Sequence, residues 1–459
     1  MKIATYNLTN LGAGNHILRA KATDGTLVSA FSNVISYSRV AVHTAVLNCS
    51  ANAPTAVSIG KSLTASFLTH GGDYANYTFA TGTILVKMDD GTGTLQDITS
   101  TAWSYGTGSD GREIGIVQIE NVTGTVYISV TAGAAAIPIP TDSILFAGET
   151  SDFTLKATNK TWKGTVEYST DKNTWNTWNG SEISSANKKL YLRGKNNTTF
   201  YTTKAVQFVL SAKAGCYGNI NTLLDYENPP TTLASSCYRE MFYRCTLLTT
   251  APELPATTLA YACYSSMFYG CRLLTAAPAL PATTLAESCY YYMFGGCKSL
   301  TTAPELPAEI LADYCYYSMF QGCTSLTTAP ELPAISLVDS CYCNMFYSCR
   351  SLTTAPALPA TTLTIQCYRA MFLGCTSLTT APALPATTLA DRCYRSMFSD
   401  CTGIKISATQ TGEYTTAWRI PSTGEIAAEA TDWNTDMLNG TGGTFKGNPS
   451  INTTYYIAG

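Results

Sequence analysis

The sequence has few charged residues and very little histidine. Only 13% of its 459 residues are Asp, Glu, Lys or Arg, and only three are His, whereas an ordinary soluble protein has about 25% charged residues. The formal net charge of −3 indicates neither a polyanion-binding chain nor an acidic tail. The polar surface must be built largely from Thr, Ser, Asn and Tyr, which suits an exposed structural protein better than a cytosolic enzyme.

Long apolar runs are also lacking. No stretch approaches the roughly 18 consecutive apolar residues of a membrane span, so we expect no span. The N-terminal sequence MKIATYNLTNLGAGNHILRAKA has no apolar segment of the kind found in signal peptides. It predicts a chain that is not exported by the general route.

No constellation of residues typical of catalysis or metal binding occurs. His16, His43 and His70 lie in different predicted β-segments, and no Ser, His and acid grouping accompanies them. The run MDDGTGTLQD at 88–97 lacks the alternation and final Glu of a calcium loop, so we interpret it as a hairpin turn. No phosphate-binding glycine-rich loop is present. The sequence predicts a protein that is not an enzyme and has no cofactor and no metal.

The 17 cysteines follow a repeat. All but Cys49 fall at or after residue 216, and fifteen lie between 237 and 401. The first Cys of each of seven copies recurs every 26 residues, at Cys237, Cys263, Cys289, Cys315, Cys341, Cys367 and Cys393. A second Cys follows eight residues later, from Cys245 to Cys401. A fixed period of this size is typical of a solenoid, in which each coil buries its apolar side against its neighbours.

Each copy predicts a short helix and a short strand. Leu233, Cys237, Met241 and Cys245 are four residues apart, which favours one side of a helix. Threonines in PATTLA offer an N-cap, and a glycine precedes the second Cys in four copies, as expected where a helix ends. These glycines are Gly270, Gly296, Gly322 and Gly374. The run SLTTAP predicts one parallel strand that ends at its Pro. We therefore expect a curved, right-handed solenoid with the sheet on its inner side.

The cysteines and the Met-Phe pair of each copy are predicted to point inward as small, soft, apolar side chains. We favour reduced structural thiols. Disulfides between adjacent coils stay an alternative, because stacked cysteines would be close enough to form them. Zinc binding is disfavoured because neither CxxC nor a partnering His is present.

The units LTTAPELPATTLAYACYSSMFYGC and their copies, with MFxxCxxL in register throughout 216–401, resemble BspA-type leucine-rich repeats. Such repeats occur in surface proteins of gut Bacteroides and of phages that infect them. The resemblance implies an α/β leucine-rich-repeat solenoid with seven coils at 215–401. The flanking segments EYSTDKNTWNTWNGSEISSANKKLYLRGKNNTTF and TGEYTTAWRIPSTGEIAAEATDWNTDMLNGTGGTFKGNPSINTTYY resemble companions of this repeat class. The second of them predicts a C-terminal cap at 402–459.

The N-terminal part predicts all-β modules. Residues 46–136 alternate apolar and polar runs between DG, GTG and NVTG turns, which predicts a β-sandwich and resembles bacterial immunoglobulin-like modules. Residues 137–214, with Trp162, Trp175 and Trp178, predict a second small β-domain that leads into the solenoid. The fold class is thus multidomain, with all-β immunoglobulin-like modules followed by the α/β solenoid.

Residues 1–45 resemble part of a fibronectin-type or immunoglobulin-like fold. The stretch NHILRAKATDGTLVSAFSNVISYS is similar to its last two strands, and the strands that normally precede them are missing. A half-sandwich leaves an open edge. We hypothesise that another virion protein or a copy of this chain completes it, which would make 1–45 an attachment or oligomerisation element. The alternative is a β-arm that packs on the next domain.

Variation between copies indicates a candidate binding surface. Taking the first Cys as position zero, a helical wheel places +2 and +6 opposite the Cys-Met side, on the convex face. Tyr and Arg, which dominate binding hot spots, recur there as Arg239, Tyr243, Tyr269, Tyr291, Tyr317, Tyr347, Arg369 and Arg395. The alternative is that these positions vary because nothing constrains them. Cys343, at +2, is predicted to be the most accessible thiol of the repeats. A weaker second candidate is the turn with Glu253, Glu305 and Glu331.

Together these observations predict a non-enzymatic phage virion surface protein, a fibre or appendage component that displays the solenoid for adhesion to a host surface protein or glycan. Its expected location is the virion surface, with no nucleic acid partner and no membrane span. The alternative is a leucine-rich-repeat adhesin on the bacterial cell surface. A carbohydrate-active enzyme is disfavoured, because it needs a buried pair of carboxylates in a cleft.

Overall fold

The structure is a computed structural model. It describes residues 39–458 except 48, 54–55, 59–61, 70–76, 91, 93, 108–112, 135–138, 161, 421–424, 427–429 and 431. Most of the hypothesised attachment element at 1–45 lies outside the described residues, as do His16 and His70. The chain divides into two compact units, residues 1–137 and 138–459.

The described strands of the first unit form two sheets. They are β1 (Arg39–Leu47), β2 (Cys49–Asn52), β3 (Ala56–Ser58), β4 (Leu63–Thr69), β5 (Tyr77–Asp89), β6 (Leu95–Asp97), β7 (Trp103–Thr107), β8 (Glu113–Ile119) and β9 (Val126–Ala134), with one short helix, α1 (Thr99–Ala102). The sheet orders are β3-β1-β9-β5-β6 and β2-β4-β8-β7. Strand β1 pairs in parallel with β9, and the other pairs are antiparallel.

Alternating side chains fill the space between these two sheets. In β9 Val126, Ile128 and Val130 are buried, and they meet Phe67 of β4 and Val117 of β8 in one core. Period-two alternation places such residues on the inner face of each sheet. The first unit is therefore a two-layer β-sandwich.

The second unit begins with two further sheets. Their strands are β10 (Ile144–Gly148), β11 (Thr154–Thr158), β12 (Thr165–Ser169), β13 (Asn176–Thr177), β14 (Ile183–Ser184), β15 (Lys189–Lys195), β16 (Gln207–Leu210) and β17 (Ala214–Tyr217), followed by a 3-10 helix at Ile220–Leu223. The sheet orders are β13-β12-β15-β10-β17-β18 and β14-β11-β16, where β18 (Leu248–Thr250) belongs to the first repeat. One hydrophobic core runs from these sheets through all seven repeats.

The later strands of the second unit are β19 (Thr388–Leu389), β20 (Ile406–Ser407), β21 (Tyr414–Arg419), β22 (Glu425–Ile426) and β23 (Thr454–Ala458). The pair β19-β22 is parallel, and β20-β23-β21 is an antiparallel sheet.

The predicted α/β leucine-rich-repeat solenoid, with a helix and a strand in each coil, is wrong. None of the seven repeats, all of which lie within the described residues, contains a helix, because each has left-handed backbone at positions −1, +3 and +7. At these positions φ is 72–74° where the residue is glycine and 49–59° where it is another residue. A right-handed helix needs φ near −63°, so one such residue every four positions prevents it. Each repeat instead forms a series of consecutive turns, hereafter a turn segment.

The predicted strand per coil is also largely absent. Apart from β18 and β19, the described repeats pair through isolated parallel bridges such as Thr302–Thr328. The predicted inner sheet is therefore replaced by single contacts between neighbouring copies.

The turn segments are held by two alternating sets of backbone hydrogen bonds. Every second N–H donates to the carbonyl three residues earlier, as from Met241 to Tyr238 at 3.2 Å. The N–H groups between them donate to the next copy, as from Phe242 to Met267 at 2.9 Å. Buried N–H groups need partners, and this alternation supplies them without a helix or a continuous sheet.

Identical side chains stack from copy to copy inside the turn segments. The prediction that both cysteines and the Met-Phe pair point inward is confirmed, because all of them are buried. The Phe rings, from Phe242 to Phe398, lie 5.4–5.8 Å apart between centroids. A second column, which the sequence analysis missed, is the Tyr after the first Cys, from Tyr238 to Tyr394.

The second Cys of six copies also makes a polar contact. Its thiol donates to the Phe carbonyl of the preceding copy at 2.9–3.1 Å, as from Cys323 to Phe294. Burial raises the pKa of the Cys323 thiol to about 12, so the group keeps the proton that this bond needs. A cysteine here combines apolar volume with a weak donor.

Different segments extend the stack at its two ends. At the start, the N–H groups of Phe200 and Phe208 donate to carbonyls of the first copy. At the end, residues 432–441 form an eighth turn segment with φ of 55°, 57° and 73° at Asp432, Asp436 and Gly440. The N–H of Phe398 donates to its Met437 carbonyl at 3.0 Å. The stack thus contains one more turn segment than the cysteine period shows.

Replacing Gly322 by Ala tests the turn geometry. A Cβ there would meet no atom closer than 3.9 Å, so only the positive φ opposes it. We expect the G322A chain to lose about 1 kcal/mol of unfolding free energy, whereas the same change inside a helix would add about 1 kcal/mol. Ala370 has φ of 49°, so Ala370→Gly is the reciprocal control and should not destabilise. Urea unfolding measures both, and a G322A chain more stable than the parent would favour a helix.

The buried thiols predict loss of stability in alkali. Burial raises the pKa to about 12 for Cys245, Cys263, Cys323, Cys341, Cys393 and Cys401. In the unfolded chain these thiols ionise near 8.5, so their contribution is complete below about pH 8.5 and is lost as pH rises towards 12. Each thiol that is ionised only in the unfolded state then lowers the free energy of unfolding by about 1.4 kcal/mol per pH unit.

Urea midpoints measured under reductant between pH 6 and 11 check this prediction. We expect little change up to pH 8 and a steep fall above pH 9. A midpoint that stayed constant to pH 10.5 would contradict the burial of the thiols.

Candidate functional site

The outward side chains of the turn segments form one surface along the stack. Positions 0, +1, +4, +5 and +8 are buried in the copies. The surface between them, called here the turn face, consists of positions +2, +3, +6, +7 and +9. Two inward residues thus alternate with two outward ones, a pattern set by the turns.

Six tyrosines, five on the turn face and Tyr314 at position −1 just before it, contact one another in a continuous row. The pairs Tyr243–Tyr269 and Tyr291–Tyr317 are stacked, with centroids 5.2 and 5.0 Å apart and planes 12° and 14° apart. Tyr292 joins the two pairs edge to face, 6.0 Å from Tyr269 and 4.8 Å from Tyr291. Tyr314 extends the row at 6.0 Å from Tyr317. These six residues are called the tyrosine row.

Four of the eight site residues predicted from the sequence belong to the tyrosine row and contact other tyrosine rings. They are Tyr243, Tyr269, Tyr291 and Tyr317. The predicted convex helix face itself does not exist, because no helix forms. The side chains of the eight candidates nevertheless lie on the outward side and are half-buried, whereas Ser265 and Cys343 at +2 and Ser399 at +6 are buried.

The other four candidates lie apart from the tyrosine row or at its margin. Arg239 is 5.1 Å from the Tyr201 ring and pairs with Glu240. Arg395 lies 3.5 Å from Asp432 of the eighth turn segment.

The last two candidates contact residues of their own region of the stack. Arg369 donates to the Gln366 side chain at 3.1 Å. Tyr347 is half-buried, and its carbonyl accepts the Gly322 N–H at 2.7 Å.

Sequence analysis missed Tyr292 and Tyr314. A helical wheel puts +3 near the Cys-Met side, whereas the left-handed residue at +3 turns Tyr292 outward. The signal that could have found Tyr292 is the spacing of the adjacent pairs Cys-Tyr and Met-Phe in CYYYMF, which leaves +2 and +3 together between two inward pairs.

The tyrosine row is fixed by polar as well as ring contacts. Asn344 donates from Nδ2 to the Tyr317 hydroxyl at 3.2 Å. Burial, together with the neighbouring Cys343 thiol, raises the pKa of Tyr317 to about 12. Burial likewise raises the pKa of Tyr291. Tyr291 and Tyr317 therefore present neutral hydroxyl groups at physiological pH.

Glycines leave a shallow depression beside the tyrosine row. Gly270, Gly296 and Gly322 occupy +7 in three successive copies, and a Cβ on Gly296 would be 3.7 Å from Gly270 Cα. Gly295 lies under Tyr269, because a Cβ there would be 2.8 Å from that ring. Backbone is thus accessible next to the tyrosines over three copies.

The prediction that Cys343 is the most accessible thiol is wrong. Its side chain has no exposed area, and Tyr317 and Arg369 of the adjacent copies each hydrogen-bond to its sulfur. Burial raises the pKa of the Cys343 thiol to about 11, although Arg369 opposes the shift. An outward position at +2 is thus covered by larger neighbours in adjacent copies.

Other parts of the described chain give weaker candidates. The Glu253, Glu305 and Glu331 carboxylates are exposed and form no ion pair among the described residues. An open cavity of about 500 Å³ in the first unit is lined by Trp103, Met88, Gln118 and a single carboxylate, Glu120. No cluster of three or more His, Cys, Asp or Glu suited to a metal ion occurs in the described ranges. Within the same ranges no helix is long and apolar enough to cross a membrane.

Comparison of the chain with protein-family models, with curated proteins and with solved structures found no match.

Thiol labelling of the native chain tests the placement of Cys343. With a pKa of about 11 instead of 8.5, its thiolate fraction at pH 8 falls roughly 200-fold, and burial slows the reaction further. We expect alkylation of Cys343 to be at least that much slower in buffer than in urea, as followed by peptide mass spectrometry. The Cys289 thiol is the internal control. Rapid native labelling of Cys343 at the rate seen in urea would contradict its position under Tyr317 and Arg369.

Proposed function

We propose that the chain is a non-enzymatic surface protein of a phage virion, a fibre or appendage component that displays the turn face for adhesion to a host surface protein or glycan. The observation that carries the proposal is the tyrosine row, a continuous band of six aromatic side chains on the outward side of the stack. Tyr and Arg are the residues most enriched at binding hot spots, since they combine contact area with polar groups.

The scaffold behind the turn face supports this proposal. Its side chains are anchored by stacked buried columns and by hydrogen bonds from each copy to the next. A surface held in one arrangement loses less conformational entropy on binding. The low content of charged residues and the resemblance of the repeats to surface proteins of gut Bacteroides and their phages agree with an exposed location.

Residues 1–45 are proposed as the element that attaches to other virion proteins or to copies of the chain. Within it, residues 39–45 belong to β1, which pairs with β9 in the first unit. Attachment would then depend on the part that precedes β1.

Adsorption competition tests the binding role. Purified chain added to host cells before phage should reduce phage adsorption, and a Tyr291→Ala, Tyr317→Ala chain should need about tenfold more protein for the same effect. Tyr261→Ala is the matched control, because Tyr261 is exposed on the same stack and lies outside the tyrosine row. Equal competition by all three chains would exclude the tyrosine row as the adhesion surface.

Peptide mass spectrometry tests the location. Peptides of the chain should occur at structural abundance in density-purified phage particles. Detection only in the outer-membrane fraction of uninfected cells would contradict the virion assignment and leave a bacterial adhesin.

A further inference from the structure

The turn face carries positive charge although the chain as a whole is negative. Between +2 and +9 the seven copies contain seven basic residues and two acidic ones, a net charge of +5, against −3 for the whole chain. The basic residues are Arg239, Arg244, Arg272, Lys298, Arg350, Arg369 and Arg395. The acidic ones, Glu240 and Asp400, lie in the first and the last copy. Of the five middle copies, four therefore present one positive charge each there, and the fourth copy has no charged residue between +2 and +9.

Three of these cations form a column at +9. Arg272, Lys298 and Arg350 are exposed, and none of them has an ion-pair partner among the residues that the structure describes. The same position in adjacent copies lies about 5 Å apart, as the stacked Tyr291 and Tyr317 rings show. The column thus offers cations at intervals of one or two copies.

The glycine depression lies between this column and the tyrosine row. Within the second copy Tyr269 at +6 is followed by Gly270 at +7 and by Arg272 at +9, and Cys271 between them is buried. The third copy has Gly296 at +7 and Lys298 at +9 but Gly295 at +6, and its tyrosines are Tyr291 and Tyr292 at +2 and +3. An extended chain lying along the depression would have phenol hydroxyls on one side and cations on the other.

The ring geometry restricts the chemistry of such a ligand. Tyr291 and Tyr317 cover each other's faces at 5.0 Å and 14°, as do Tyr243 and Tyr269 at 5.2 Å and 12°. Single-stranded nucleic acids bind through bases that stack on free aromatic faces, and stacking covers one face of each of these four rings while their edges and hydroxyls project beyond the pair. Edges and hydroxyls suit a ligand rich in hydroxyl groups.

We propose that the turn face binds an anionic polysaccharide, a polymer with carboxylate or sulfate groups, along the depression formed by Gly270, Gly296 and Gly322. This proposal rests on the proposed adhesive function and specifies its ligand class. The cations at +9 pair with the anionic groups, the tyrosine hydroxyls bond to the sugar hydroxyls, and the repeating copies match a repeating polymer. The attraction should fall with ionic strength, since the cations are exposed.

The test compares the full chain with two triple variants of equal charge. Arg272→Gln, Lys298→Gln and Arg350→Gln remove the column, while Lys156→Gln, Lys160→Gln and Lys213→Gln remove the same charge from exposed sites elsewhere in the second unit. The probes are polygalacturonate for carboxylate, dextran sulfate for sulfate and plain dextran as the neutral polymer. Poly-glutamate and a thymidine 30-mer are the non-carbohydrate polyanions. Affinity electrophoresis at low and physiological salt gives dissociation constants.

We expect the parent chain and the control variant to bind polygalacturonate, dextran sulfate or both, with the column variant weaker by roughly tenfold. Which of the two is bound more tightly distinguishes carboxylate from sulfate. Dextran, poly-glutamate and the oligonucleotide should bind at least tenfold more weakly.

Three results would overturn the proposal. The first is an equal loss of polysaccharide affinity in the column variant and the control variant. The second is binding of poly-glutamate or the oligonucleotide as tightly as the anionic polysaccharides. The third is no binding of either anionic polysaccharide by the parent chain. If phage adsorption is still blocked by the parent chain in any of these cases, the adhesive function stands and only the ligand class is wrong. If adsorption is not blocked although the polysaccharides bind, the adhesive role fails instead.

Discussion

The alternation of backbone hydrogen bonds within and between copies is the constraint on which the repeat region depends. One N–H in two closes a turn with the carbonyl three residues earlier, and the next reaches the following copy, as from Tyr238 to Cys263 at 2.8 Å. A left-handed residue every fourth position is needed to direct the groups in this way. Because the bonds to the next copy recur at the same positions, each copy must align in register with its neighbour. Identical side chains then meet, and the stacked columns of Phe, Tyr and Cys follow.

The same alternation determines what the surface presents. Two inward residues followed by two outward ones place Tyr291 and Tyr292 on the outside and Met293 and Phe294 in the core. The outward pairs stand beside those of the adjacent copies, so a tyrosine in one copy contacts a tyrosine in the next. A contiguous aromatic and cationic surface therefore arises without any loop that projects from the scaffold. Its chemistry can change copy by copy while the interior stays constant.

Sequence reasoning identified the period, the copy boundaries and most of the interior, because 26-residue spacing and invariant Cys, Met and Phe are visible directly. It failed on local conformation, because a helix and a series of turns both place every fourth residue on one side. The distinguishing signal was weaker: the apolar residues come in adjacent pairs, and +7, one of the positions with positive φ, is Gly in four copies and Asp in one.

The same ambiguity limited the site. The candidates Tyr243, Tyr269, Tyr291 and Tyr317 came from positions that are outward in both geometries. Tyr292 is outward only in the turns, and Cys343 is hidden by neighbours that lie 26 residues away along the chain. The eighth turn segment was missed because Trp433 replaces the first Cys and follows Cys393 by 40 residues instead of 26.

The two ends of the stack are chemically different. At the start of the stack, the backbone carbonyls of the first copy accept hydrogen bonds from the N–H groups of Phe200 and Phe208. At its other end, the eighth turn segment presents backbone N–H donors, and the N–H of Asp436 donates to Asn448 Oδ1 at 2.9 Å. A set of copies freed from its flanking segments would have an acceptor end complementary to its donor end. Such edges join strand to strand in aggregating proteins. By bonding to these end groups, the flanking segments therefore prevent the stacks of different molecules from joining end to end into a filament.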